Sequence, residues 1–386
     1  MRLKLCFNLD FKKPLFSPLA RQPKSMAQND HSIFMVILCL EAQRKGMVIK
    51  LKRLGKHTVL FENSIAINAY ASVVGKKEGE GKLREGFDFV SEDDYFSEST
   101  WEKAESGMLN KCFNICCNKA DIQPSELDCI LAGDLLNQCI GTTFALKDTN
   151  APYLGLYGAC STMAESLAIG AMLLDGGYGI NVCAVTGSHF STAERQYRFP
   201  LEYGACRTPT AQNTVTGAGA VILTSESGYP YLTSATVGKI VDTGIKDSCN
   251  MGAAMAPAAF MTLKAHFQET GRAPDYYDAV FTGDLGAVGH DILEALLEEE
   301  GIKLGTSYRD CGVMIYEGTQ NKARIFGSGC GCCASVLCAH ILPQIRAGVY
   351  KRVLFAATGA LMSPTSSMQK QSIPSICHAV SIESGV

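Results

Sequence analysis

Apolar residues along this chain fall into short continuous runs that alternate with segments of helical period, the rhythm of an α/β protein. Trp101 to Ala120 places apolar side chains three and four residues apart and predicts a helix, while Leu127 to Ala132 (LDCILA) is a continuous run of strand length. Pro152 to Tyr157 (PYLGLY) reads as a second buried strand, and Glu165 to Gly177 (ESLAIGAMLLDGG) as a helix closed by a glycine pair. Val182 to Thr186 predicts a third buried strand, and the polar stretch Gly187 to Arg198 a loop. Thr214 to Leu223 (TVTGAGAVIL) and Tyr231 to Val237 read as two strands of a closing hairpin.

The pattern repeats itself. LDCILAGDLLNQ, starting at Leu127, is echoed 150 residues later by YDAVFTGDLGAVG, which sets Asp134 opposite Asp284. Gly158 to Gly187 is echoed at an offset of 172 by Cys330 to Gly359, so that Cys160 faces Cys332 and Thr186-Gly187 faces Thr358-Gly359. Two halves that share one order of strand, GDL turn, cysteine-bearing helix and strand imply two sheets related by a pseudo-twofold axis, with the cysteine helices between them.

Residues 1–46 stand apart, with Phe and Pro scattered among basic residues and one apolar run, Ile33 to Leu40. That run is too short to span a bilayer and no small-residue cleavage site follows it. This segment is expected to be a non-core basic extension, disordered or preceding the true start at Met47; a peripheral membrane anchor is the functional alternative. Residues 1–56 hold 12 Lys or Arg against 3 acids, whereas the remainder holds 23 against 35. A body this acidic excludes nucleic acid as a partner, and the basic leader suits an anionic surface. The 17 cysteines show neither a secreted disulfide framework nor zinc spacing, which points to a reducing compartment. GAGA at Gly217 to Ala220 does not complete a dinucleotide fingerprint, and no cofactor is expected.

Chemistry converges on Cys160, set among small residues where a strand meets a helix. Backbone N–H groups and the helix dipole at that point favour an anion, either a thiolate or a bound carboxylate; the alternative is a cysteine serving as a small core residue.

A duplicated α/β architecture with a cysteine on the first buried helix resembles the thiolase fold. The resemblance implies a five-layered α-β-α-β-α sandwich of two pseudo-symmetric halves, 47–225 and 226–386. The runs AGDLLNQ, GACSTMAESLAIG, TAERQYRFPLEYG, TVTGAGAV, MGAAMAPAA, TGDLGAVG, DCGVMIY and ATGALMSPTSSMQKQSIPSICHAV resemble, more closely, the stage V sporulation protein AD family of spore-forming bacteria. That likeness implies a non-catalytic binding protein for dipicolinic acid (pyridine-2,6-dicarboxylate) that serves its uptake into the developing spore. It also implies a place on the reducing side of the spore's inner membrane, held there by other proteins of the same operon, and dimerisation follows from analogy with enzymes of this fold. The alternative is an active thiolase or ketoacyl synthase-type condensing enzyme with Cys160 as acyl acceptor. The loops Thr282 to Leu285, Gly327 to Cys330 and Ala357 to Ala360, where such enzymes carry second-half partners, contain no histidine.

A receptor for a planar dianion needs carboxylate donors. Cys160 with the N–H groups of Ser161 and Thr162 is expected to supply a helix start, and Arg195 or Arg198 a guanidinium fork. Asp134 and Asn137 would read the ring edge or hold a calcium counter-ion, and His189 would touch the ligand. Each has an alternative: the arginines as surface pairs, Asp134 and Asp284 as turn formers, His189 as a core histidine.

Overall fold

The computed structural model describes residues 52–197, 208, 210–319 and 326–385. Ten principal strands fall into two sets of five. The first set is β1 (Thr58–Val74), β2 (Cys129–Gly133), β3 (Tyr153–Gly155), β4 (Asn181–Ser188) and β5 (Gly217–Thr224). The second is β6 (Tyr231–Thr236), β7 (Ala279–Thr282), β8 (Tyr308–Asp310), β9 (Arg352–Ala360) and β10 (Ser375–Glu383). Across the sheet the first set runs β3-β2-β4-β5-β1 and the second β8-β7-β9-β10-β6, the same order of equivalent strands. The senses match as well. β2 pairs in parallel with β3 and β4, and β5 is antiparallel to β4 and β1. Likewise β7 is parallel to β8 and β9, and β10 antiparallel to β9 and β6. The duplication read from the sequence is therefore a duplication of topology, and the fold is thiolase-like α/β.

The two halves were expected to form two sheets, yet β1 of the first and β6 of the second pair with each other over Thr58–Leu60 and Ile65–Ala66, and a register shift lets β1 pass from β6 to β5. The anticipated hairpin between β5 and β6 is therefore absent: both strands pair with β1 instead, because its 17 residues are long enough to serve both neighbours.

Helices form three layers around these strands. On the outer face of the first half lies α1 (Trp101–Ala120), whose Thr100 side chain caps the Lys103 N–H and whose C-terminus is turned by Asp121 in the left-handed region. Its Met108, Leu109, Cys112, Phe113 and Cys116 are buried against β1, β4 and β5 at helical spacing. α2 (Ile140–Leu146) follows β2. In the middle lie α3 (Thr162–Asp175) and α7 (Cys330–Val336), which share one core with strands of both halves. Met163, Leu167, Ala171 and Leu174 of α3 are fully buried, as expected of a helix covered on two sides and rich in small residues. α5 (Met251–Thr270) and α6 (Gly286–Glu299) cover the outer face of the second half.

Two local readings change. The stretch predicted as a buried strand is β3, a sheet edge with all three residues exposed; among the described residues its apolar side chains have no strand beyond them to pack on. The polar stretch after Thr186 is not a loop: β4 continues to Ser188 and α4 (Phe190–Tyr197) follows, burying Thr192, Ala193 and Glu194.

Candidate functional site

Between the halves lies a cavity of about 60 Å³, several times the roughly 10–15 Å³ that a single water requires. Leu135 after β2, Ala159 and Cys160 before α3, Ala360 at the end of β9 and Met362 after it line the cavity. These positions sit at or past the C-terminal ends of parallel strands, where open α/β sheets bind ligands. α4 contributes Ala193, Glu194 and Tyr197; Ser248 and Met251 lead into α5. Thr214 and Ser328 come from a two-residue parallel pairing of 213–214 with 327–328.

Cys160 is 6% exposed and sits in a 3₁₀ turn, Ala159–Ser161, entered through Ala159 at φ 50°. Its thiol lies 3.9 Å from Ser328 Oγ, whose hydroxyl links it to the Asp284 carboxylate. Asp284 is wholly buried; Ser328 Oγ and the Gly329 N–H donate to its Oδ2 at 2.9 and 3.0 Å, and Thr358 Oγ1 donates to Oδ1 at 2.9 Å. Burial raises the Asp284 pKa against the pull of these donors. The Cys160 pKa is pushed well above the ordinary thiol value, first by burial and then by the Asp284 charge. A nucleophilic cysteine needs the reverse, a base or positive charge that favours thiolate. Among the described residues no histidine, lysine or arginine lines the cavity.

The predicted site residues divide. Cys160 is at the cavity. Ser161 and Thr162 do not offer a helix start to an anion, since the Ser161 N–H donates to Gly158 O and the Thr162 N–H to Ala159 O, closing the 3₁₀ turn. Their hydroxyls are used in the same turn, on Gly158 O at 2.7 Å and Ala159 O at 2.6 Å. Asp134 is likewise spent on its own turn, accepting from Leu136 N at 2.8 Å and from both the N–H and the hydroxyl of Thr142 at 2.7 and 2.9 Å. Asn137 and Arg195 border a separate groove with Gln196 and Glu102, and Arg195 pairs there with Glu102 while its guanidinium lies over Trp101. His189 is buried with Nε2 2.8 Å from Asp94 O and Nδ1 accepting from Ser191 N, and burial lowers its pKa, so it is a neutral core histidine. Arg198 lies outside the described residues.

The repeat partner of Cys160 also shifts in space. Cys332 turns away, its thiol directed at Gly283 O, and Cys330 is the second-half cysteine packed with Cys160, Leu135 and Ala193. The thiols of Cys330 and Cys333 donate to Gly187 O and Cys160 O. Sequence reasoning read Asp284 only as a turn former and did not single out Ser328, Glu194 or Tyr197 for the site. The signal for Asp284 was its GDL turn; for the α4 pair it was the polar stretch itself, read as a loop.

Residues 55–383 match the family model described as Stage V sporulation protein AD. The Stage V sporulation protein AD of Bacillus subtilis (strain 168) is 43% identical over 335 residues, 86% of this chain and 98% of that protein. Among solved structures, human mitochondrial 3-ketoacyl-CoA thiolase superposes with a TM-score of 0.54 at 12% identity, covering 84% of this chain and all of that one. 3-Oxoacyl-[acyl-carrier-protein] synthase III of Aquifex aeolicus VF5 gives 0.50 at 15% identity, covering 83% and 99%. At these identities the likeness concerns the fold.

Proposed function

Since the chain belongs to the Stage V sporulation protein AD family, and is thus a sporulation protein on a thiolase-like scaffold, we propose that it binds dipicolinic acid without catalysis and serves its uptake into the developing spore. The observation that carries the non-catalytic reading is the burial of Cys160 next to the buried Asp284 carboxyl, to which Ser328 Oγ links it. A buried carboxyl beside a buried thiol holds the thiol protonated, and an acyl acceptor in that state is a poor nucleophile. The cavity walls suit a flat aromatic ring: Ala159, Ala193, Met251 and Met362 offer apolar faces, while Thr214, Ser248 and Ser328 offer hydroxyls to carboxylate oxygens. Arg198 remains the proposed guanidinium donor. Because the acidic Glu194 lines the same space, calcium accompanying the acid would offset like-charge repulsion.

The same reading includes a homodimer and a peripheral place at the spore's inner membrane with other proteins of the operon. The edge of β3, unpaired among the described residues, where Leu154 is 49% exposed beside Tyr153 and Tyr157, supports pairing with a second copy. Among the described residues no helix is long and apolar enough to cross a membrane.

Isothermal titration of the full chain with dipicolinate, with and without calcium, tests the proposal. Binding is expected in the native protein and is expected to weaken in Ala193→Leu, which fills the cavity, and in Ser328→Ala. Absence of binding under both conditions overturns the function; undiminished binding in both variants overturns the site. A stable acyl adduct on Cys160 after incubation with acyl-coenzyme A, seen by mass spectrometry, replaces the reading with a condensing enzyme.

A further inference from the structure

One corner of the molecule runs against the acidic character of the body. Where β1 begins, beside the end of β6 and the last turns of α5, Arg53, Lys56 and Lys239 are exposed. None of the three pairs with an acidic side chain among the described residues. The acids of this corner are directed elsewhere. Glu269 accepts from the backbone N–H groups of Lys56, His57 and Thr58, and Glu300 pairs with Lys264 at 2.8 Å. Asp242 takes the Ser372 hydroxyl and the Gly244 N–H.

Aliphatic side chains are interleaved with the cations: Leu54 is 44% and Ile240 64% exposed, with Val237 between the two stretches. The surface is continuous. The Val237 N–H donates to His57 O, the His57 ring lies 2.9 Å from Val237 O, and the Leu54 N–H donates to Thr58 O. A recess of about 190 Å³ lined by His57, Lys239 and Gln268 lies between them.

Unpaired cations set among exposed aliphatics match an anionic bilayer surface, where ammonium and guanidinium groups meet phosphate and the aliphatics enter the headgroup boundary. An acidic protein or a nucleic acid would answer the cations but leave Leu54 and Ile240 without a role. The chain that reaches this corner at Lys52 continues the same chemistry: residues 1–51 hold nine basic against three acidic residues and the apolar run Ile33 to Leu40.

We propose that this corner is a docking surface for anionic lipid headgroups. The proposal extends the peripheral membrane placement given above and makes no assumption about the cavity, since the 20 residues of α5 set the Glu269 end about 30 Å from Met251 at the cavity wall.

Vesicle flotation of the full chain tests it, using phosphatidylcholine vesicles with and without phosphatidylglycerol. The native protein should float only with the anionic vesicles and be released by high salt. Combined Arg53→Gln, Lys56→Gln and Lys239→Gln should lower partitioning on the order of a hundredfold, with an unchanged urea midpoint to show that the fold is intact. Ile240→Ser should weaken partitioning by a smaller factor. Flotation with neutral vesicles alone, no flotation, or undiminished flotation of the triple variant overturns the proposal. Dipicolinate titration of the triple variant keeps the two readings apart, because it should equal that of the native protein whatever the vesicles show.

Discussion

Replacing Asp284 tests both the stability and the chemistry of the site. Its carboxylate collects Ser328 Oγ, Gly329 N–H and Thr358 Oγ1, with the Cys160 thiol linked to it through Ser328, all in a region closed to water. Asp284→Ala strands these donors. The hydroxyls can rotate toward other acceptors, whereas the Gly329 N–H is fixed by the backbone at φ 101° that begins α7. At about 1–3 kcal/mol for each stranded buried group, and allowing for the relief of a carboxyl that burial already disfavours, the net loss should be about 3–5 kcal/mol. Asp284→Asn keeps one acceptor oxygen and the volume, and should cost less. Urea denaturation with an unchanged m-value measures both. The asparagine variant carries a second signature. Removing the charge that holds the Cys160 thiol up should speed its alkylation by iodoacetamide at a fixed pH, followed by mass spectrometry of the Cys160 peptide. An alanine variant within 1 kcal/mol of the native protein, measured on a scale where surface changes are worth about that much, would refute the stranded-donor reasoning; unaltered alkylation in the asparagine variant would refute the electrostatic one.

Two further outcomes follow from the same geometry. His266, fully buried between Thr236 Oγ1 and Tyr277 OH, has its pKa pushed down to about 3, mainly by burial. Its neutral form therefore supports the fold fully above the ordinary value of 6.5, and that support fades as pH falls from 6.5 toward 3; about 2 kcal/mol should be lost by about pH 5, seen by urea denaturation in the native protein and not in His266→Asn. A Cβ at Gly359 would lie 2.1 Å from Gly158 O, so Gly359→Ala must push β9 away from the Cys160 turn; about 1–3 kcal/mol of stability should go, together with dipicolinate binding. A variant that keeps both would show that this contact does not set the position of the turn.

Much of the fold was legible because burial writes a period into the chain. α1 falls on the 20 residues with helical spacing, and its Thr100 cap and Asp121 terminus are of the expected types. The duplication was legible because equivalent strands face equivalent neighbours and keep similar runs. The β5–β6 hairpin misled because proximity in sequence favours pairing in general, while the deciding fact was the length of β1, a property of a distant segment. The exposure of β3 was hidden for a related reason: an edge strand that keeps apolar side chains has the composition of a central one.

The site was less legible, and the two GDL turns show why. In the first half, Asp134 is fully buried and serves its own turn through Leu136 N. The equivalent amides of the second half, Leu285 N and Gly286 N, are instead taken at 2.9 and 3.0 Å by Asp310, which arrives on β8. Relieved of the turn, Asp284 faces inward to Ser328 and Thr358, and Ser328 in turn meets Cys160. Two identical tripeptides thus have opposite fates, decided by one carboxylate 26 residues downstream of the second. A local motif can state that an aspartate will find amide donors, but which aspartate is left over for the cavity depends on the strand that pairs beside it. This also bears on the neutral state of Cys160: burial is the first cause that keeps the proton on the sulfur, and the charge of the carboxyl freed by Asp310, linked to the thiol through Ser328, adds to it.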